Sequence, residues 1–138
     1  MTVPTARRGS EDGFTLVELL VVAVIVGVLV AIAVPVLTSQ KERANDTAAQ
    51  SDARSLGVMV AAAWGEGGTP VVSIDASRRY TIDGEPTFEA SPGVMFVSHA
   101  GTSQDDWCLE LAHPDGDAAA SPGVTYGAQD GLAVRSSC

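Results

Sequence analysis

The hydrophobic pattern of the chain is dominated by one long apolar stretch near the N-terminus. From Leu19 to Leu37 there is no charged residue, and most positions are Val, Leu, Ile or Ala. A helix over 14–37 would be roughly 36 Å long at ~1.5 Å per residue, which is enough to cross a hydrocarbon core of ~30 Å. We therefore predict a transmembrane helix, with a bend at Pro35, which removes a backbone hydrogen bond, and close helix–helix approach at Gly27.

The helical period continues over 38–64, where polar residues enter and the helix becomes amphipathic. Small residues recur at steps of three or four and predict the packing face: Ala44, Ala48, Ser51, Ser55, Val58 and Ala62. Leu56, Met59, Val60 and Ala63 widen this face near its end, which suggests that a sheet packs there. Charged residues such as Asp46 and Asp52 are expected on the remaining faces. A glycine-rich run that begins at Gly65 ends the helix.

Short apolar runs separated by turn residues follow over 65–138 and predict a β-rich globular region. The predicted strands are Val71–Ile74, Arg79–Ile82, Val94–Val97, Trp107–Leu111, Val124–Tyr126 and Leu132–Val134. Because the connections are short, we expect an antiparallel sheet of roughly three to five strands, packed on the C-terminal part of the helix. The predicted fold class is α+β, with a long N-terminal helix on a small antiparallel sheet.

Glu18 is the position that the apolar pattern does not explain. A carboxylate within a membrane-spanning helix costs roughly 2.5–3.5 kcal/mol at the bilayer centre. A plain membrane anchor gains nothing from such a group. We therefore expect Glu18 to have a partner that neutralises it.

The spacing around Glu18 resembles that of type IV prepilins. Phe14 follows Gly13 directly, Glu18 is the fifth residue after the glycine, and Pro35 is the twenty-second. The resemblance covers about 7–60 and implies that a prepilin peptidase cuts between Gly13 and Phe14 and methylates the new amine. It further implies that Glu18 pairs with the amine of a neighbouring subunit, with Gly27 and Pro35 in the assembled helix bundle. A close ion pair offsets much of the cost of burying either charge alone.

Residues 1–13 are accordingly expected to be a leader peptide. Arg7 and Arg8 before an apolar run also suit a secretory signal, but the run is too long for one and no small-x-small cleavage site follows it cleanly. Glu11 and Asp12 depart from the basic residue usual before the glycine in prepilins. Basic residues flank both ends of the apolar stretch, so charge does not decide its orientation. The resemblance implies a precursor in the cytoplasmic membrane with its N-terminus inside.

The charge balance of the exposed part excludes one class of partner. After Pro35 there are six Lys or Arg and fourteen Asp or Glu residues. Nucleic-acid phosphates would be repelled by such a surface. We therefore expect no direct nucleic-acid binding.

Cys108 and Cys138 are candidates for a disulfide. An exported chain can keep one, and closing a loop of about thirty residues stabilises by roughly 3–4 kcal/mol in the chain-entropy model. Pilins often have a disulfide that links their C-terminal region. Two free thiols are the alternative.

The sequence contains no recognised catalytic motif, and we predict that the protein is not an enzyme. His99 and His113 lie in predicted loops and are expected to be solvated. We expect no cofactor; if calcium binds, Asp115 and Asp117 are the candidate ligands.

Three functions fit these observations. The chain is a pilin that polymerises into an extracellular pilus, a pseudopilin of a type II secretion or DNA-uptake machine, or a signal-anchored extracytoplasmic domain. Glu18 disfavours the third. We predict the pilin, with further copies of itself, the prepilin peptidase and the pilus assembly machinery as partners.

Overall fold

A computed structural model describes residues 14–120 and 122–138 of the chain. The predicted leader, including Gly13, lies outside the described residues. The N-terminal half forms one helix, α1 (Leu16–Gly65), which contains Pro35 and continues past it. Beyond its end, Gly67 and Gly68 have φ of 93° and 116°, a left-handed conformation that helices do not continue through.

The chain divides into two compact units, one ending at Leu37 and the other beginning at Thr38. In the first unit, every described residue is exposed. Its Val, Leu and Ile side chains therefore lie at the surface. The second unit contains the buried core.

Seven strands form two antiparallel sheets in the second unit. The first sheet has the order β1-β2-β3 and the second the order β4-β5-β6-β7. Their bounds are β1 Val72–Ile74, β2 Arg79–Ile82, β3 Glu85–Glu89, β4 Met95–Ser103, β5 Asp106–Ala112, β6 Val124–Gly127 and β7 Gly131–Val134. The predicted α+β class is confirmed, and the six predicted strands are present.

The prediction of one sheet was wrong, and β3 was missed. The sequence Gly84-Glu85-Pro86 reads as a turn, yet only Asp83 and Gly84 form the tight connection, with φ of 53° and 85°. Pro86 already lies in β3, at the edge of its sheet. An edge strand tolerates proline because one side of the strand makes no ladder hydrogen bonds.

The core lies between the second half of α1 and the strands. The helix contributes Ala49, Ala53, Leu56, Val60 and Trp64. The strands contribute Val72, Tyr80, Trp107, Leu109, Leu111 and Val124. Of the four residues predicted to widen the packing face, Leu56 and Val60 are in the core and Ala63 is half-buried, but the prediction was wrong for Met59, which is 41% exposed.

The predicted small-residue face of α1 was wrong. Ala44, Ser51, Ser55, Val58 and Ala62 are exposed, and Ala48 is half-buried. The buried face instead follows Asp46, Ala49, Asp52, Ala53, Leu56, Gly57, Val60 and Trp64. This face includes two carboxylates, which a hydropathy pattern assigns to solvent. Their partners are distant loops that the local sequence does not reveal.

Candidate functional site

Glu18 lies in the first turn of α1, where it interacts with Thr15. The Thr15 backbone N–H donates to Glu18 Oε2 at 2.9 Å, and the Thr15 hydroxyl donates to the same oxygen at 2.8 Å. The Glu18 N–H lies 3.2 Å from Thr15 Oγ1. This reciprocal arrangement is a capping box, which satisfies backbone donors that a helix start leaves without partners.

The capping box was missed at the level of sequence, although its signal is present. Thr15 precedes Glu18 by three residues, the Ser/Thr-x-x-Glu spacing of the motif. Glu18 therefore has a role within its own chain. Both Thr15 donors approach Oε2, which leaves Oε1 for a further donor. The carboxylate is thus held in place and remains available.

Apart from Thr15, the described residues around Glu18 have apolar, exposed side chains. Phe14, Leu16 and Val17 are 67%, 86% and 69% exposed, and the exposed apolar side chains continue to Leu37. By length and composition, α1 contains a segment able to cross a membrane. No atom lies within 4 Å of a Cβ placed on Gly27, so its surface is open to close approach by another helix.

A disulfide joins Cys108 of β5 to Cys138. The C-terminal tail has further ties: the Cys138 N–H donates to Glu110 Oε2 at 3.2 Å, and Arg135 forms an ion pair with Asp117 at 2.7 Å. The tail is therefore fastened to the four-stranded sheet.

The calcium candidates, Asp115 and Asp117, have protein partners in this arrangement. The Asp117 carboxylate accepts from Arg135, and the Asp115 carbonyl accepts from the Asn45 side chain at 2.9 Å. Across residues 14–120 and 122–138, no group of three or more His, Cys, Asp or Glu is placed to hold a metal.

The two histidines were wrongly expected in solvated loops. His113 follows β5 and is 4% exposed; its Nδ1 accepts from the Asp115 N–H and its Nε2 lies 3.2 Å from the Pro92 carbonyl. His99 lies in β4, and its Nε2 is buried with no hydrogen-bond partner in the described chain. Burial lowers the pKa of His99. His99 was missed because β4 continues past Val97, where the predicted strand ended. His113 does lie outside the strands, but its ring is buried, which the sequence pattern did not show.

Two buried carboxylates on α1 hold the loops of the globular unit. Asp46 Oδ1 accepts from the backbone N–H groups of Ala118 and Ala119, each at 2.9 Å. Asp52 accepts from the Tyr80 hydroxyl at 3.1 Å and from the Ser91 N–H and hydroxyl at 2.8 Å. Both residues were expected on solvated faces.

Known proteins resemble the N-terminal part of this chain. Residues 8–34 match the model of the prokaryotic N-terminal methylation motif. Over 50 residues the chain is 40% identical to the type II secretion system core protein G of Pseudomonas aeruginosa, covering 36% of this chain and 35% of that protein. Over 68 residues it is 37% identical to the type IV major alpha-pilin of Moraxella bovis, covering 49% and 43%. No solved structure matches.

The described structure thus places the end of the methylation motif on an exposed apolar helix, and a small helix-and-sheet unit follows. The N-terminal region is similar to the corresponding regions of a type IV pilin and of a type II secretion core protein. The chain spans less than half the length of these two relatives.

Proposed function

We propose that this chain is a structural subunit, a type IV pilin, which polymerises into an extracellular pilus through its N-terminal helix. The observation that carries the proposal is Glu18: a carboxylate fixed by Thr15 at the start of a helix whose described surface is apolar to Leu37. Such a group needs a cationic partner once it leaves water.

Cleavage between Gly13 and Phe14 creates that partner. The new α-amino group of Phe14, methylated or not, is positive and lies in the same apolar zone. A second copy displaced along the helix axis brings its amine to Glu18 Oε1 while Thr15 keeps Oε2. The two charges then neutralise each other, and because one pairing geometry satisfies both, the pair sets the register between subunits.

Apolar burial alone does not set this register. Before assembly the side chains of 14–37 face lipid, and afterwards they face other helices, so the hydrophobic gain is small. Van der Waals packing at open positions such as Gly27 and the Glu18 pair distinguish one alignment from another. Pro35 contributes a position where the backbone lacks a donor and the helix can bend.

A pseudopilus is the second candidate function. It is favoured by the 40% identity to a type II secretion core protein over the N-terminal 50-residue match. The same processing and the same Glu18 pairing serve both machines. The two functions therefore differ in whether the filament extends beyond the cell surface or stays in the envelope, and not in how its subunits join.

Intact-mass spectrometry of material sheared from the cell surface tests the proposal. A pilin gives a chain that begins at N-methylated Phe14. The same processed chain confined to the envelope identifies the pseudopilin. A chain that retains residues before Gly13 and stays in the membrane contradicts both.

A further inference from the structure

Two exposed cations follow the apolar stretch directly. Lys41 and Arg43 lie four and six residues after Leu37, and both are exposed. Among the described residues the recorded ion pair is Arg135–Asp117, and neither Lys41 nor Arg43 takes part in one. Within the described residues, neither of these two side chains forms an ion pair with a carboxylate.

The geometry of an α-helix directs both side chains toward the apolar stretch. Cα–Cβ bonds tilt toward the helix N-terminus, so a long side chain covers the turn before its own Cα. Positions two residues apart are rotated by roughly 200°, which places Lys41 and Arg43 on nearly opposite sides of α1. The turn before Lys41 reaches back to Leu37, whereas the turn before Arg43 contains Ser39 and Gln40. Both cations therefore lie at the boundary between the apolar stretch and the polar part of α1, where long cationic side chains present their charge to water.

The rest of the globular unit has the opposite charge. From residue 38 onward, fourteen Asp or Glu residues face six Lys or Arg residues, two of which are Lys41 and Arg43. An anionic bilayer surface therefore repels most of this unit. Lys41 and Arg43 are the cations that sit beside the apolar stretch, where such a surface would meet the chain.

We propose that Lys41 and Arg43 bind the phosphate groups of anionic phospholipid headgroups while the subunit is in the membrane, and so fix the depth at which α1 leaves the bilayer. This inference rests on the proposed function, because it needs the membrane-inserted form. Carboxylates of a second copy are the rival partner. The headgroups are favoured by the direction of the side chains and by the place of both cations next to the apolar stretch.

The test uses the full-length chain in nanodiscs of phosphatidylcholine with a minority of phosphatidylglycerol. Native mass spectrometry identifies and counts the lipids that remain bound to the chain after the chain is released from the nanodisc. Each cation near an anionic surface contributes about 1 kcal/mol, which is roughly fivefold, so the ratio of phosphatidylglycerol to phosphatidylcholine among the retained lipids should be roughly fivefold above the bulk ratio. The double variant Lys41→Gln/Arg43→Gln should retain lipids in their bulk ratio.

Two controls separate position from charge. Arg54→Gln removes an exposed cation eleven residues further along the same helix and should keep the enrichment. The exchange Lys41→Arg/Arg43→Lys keeps both charges and should keep it as well.

An inserted wild-type chain without enrichment, or a double variant that keeps it, overturns the inference and leaves the proposed function standing. Carboxylate–amine cross-links from Lys41 to a second copy that are unchanged by phosphatidylglycerol overturn it in favour of a protein contact. A chain that alkaline carbonate washes out of the bilayer contradicts the proposed function and this inference together.

Discussion

At the scale of single residues, the most informative side chains are carboxylates with defined partners. Glu18 binds donors within its own helix turn, while Asp46 and Asp52 reach loops that are distant in sequence. The first arrangement leaves a carboxylate oxygen available, and the other two are largely buried. The proposed assembly contact and the stability of the fold thus involve carboxylates in different surroundings.

Replacing Asp52 tests its structural role. Asp52→Ala leaves the Tyr80 hydroxyl and the Ser91 donors without their acceptor, and we expect the free energy of unfolding to fall by about 2–4 kcal/mol. Asp52→Asn keeps one acceptor oxygen and should cost less. Denaturant unfolding in detergent, followed by the fluorescence of the two buried tryptophans, measures both. The control Arg54→Ala, at an exposed position, should change the free energy of unfolding by less than about 0.5 kcal/mol. If Asp52→Ala lost no more unfolding free energy than Arg54→Ala, the structural role of Asp52 would be contradicted.

His99 should make stability depend on pH. Burial lowers its pKa in the folded chain, so folding favours the neutral imidazole. This contribution is complete above the unfolded pKa of about 6.5 and is lost as the pH falls through the lower folded value. His99→Phe, which preserves a ring beside Trp107, should flatten the decline in unfolding free energy between about pH 7 and 5. Parallel pH profiles for variant and wild type would rule this out.

At the scale of elements, α1 approaches the four-stranded sheet closely at one glycine. A Cβ on Gly57 would lie 2.3 Å from Cδ1 of Tyr126. Gly57→Ala gains helix propensity but must displace this ring, and overpacking of this kind costs about 1–3 kcal/mol. Gly65→Ala, in the same helix with nothing within 4 Å, is the matched control and should be neutral or stabilising. A stable Gly57→Ala variant with an unmoved Tyr126 would contradict this packing.

The elements themselves were largely predictable because their signals are local. The unbroken apolar stretch and the glycine-rich end predict α1, and alternating or continuous apolar runs predict most strands. The face of α1 was not predictable, because Asp46 and Asp52 are polar residues that become buried through contacts with Ala118, Ala119 and Ser91. Sequence patterns record the polarity of a residue but not a distant donor that satisfies it.

At the scale of the whole molecule, the disulfide is the one covalent constraint recorded between distant parts of the described chain. It joins positions separated by 30 residues. Cys138→Ser should lower the free energy of unfolding by roughly 3–4 kcal/mol in the chain-entropy model. The loss should match that of the wild type under a reductant, and the variant should not respond to the reductant. An unchanged unfolding curve would show that the other tail contacts suffice.

The N-terminal motif was recognisable from the sequence, because Gly13, Phe14, Glu18 and Pro35 stand at the spacings of prepilins, and the methylation motif matches 8–34. The roles of these residues in processing and assembly stay predictions. The capping box needed the geometry of Thr15, although its spacing is visible in the sequence. The sequence could not separate pilin from pseudopilin, because both use the same N-terminal segment.

The central claim is that Glu18 aligns subunits during assembly, and filament yield from Glu18 variants measures it most directly. Glu18→Ala should insert in the membrane and lose residues 1–13 normally, yet produce few or no surface filaments when sheared material is quantified by immunoblot. Thr15→Val should lower the yield less, because it removes the hydroxyl donor but keeps the carboxylate and its backbone N–H donor, and Thr15→Ser should keep the wild-type yield. Normal filaments from Glu18→Ala cells would contradict the account.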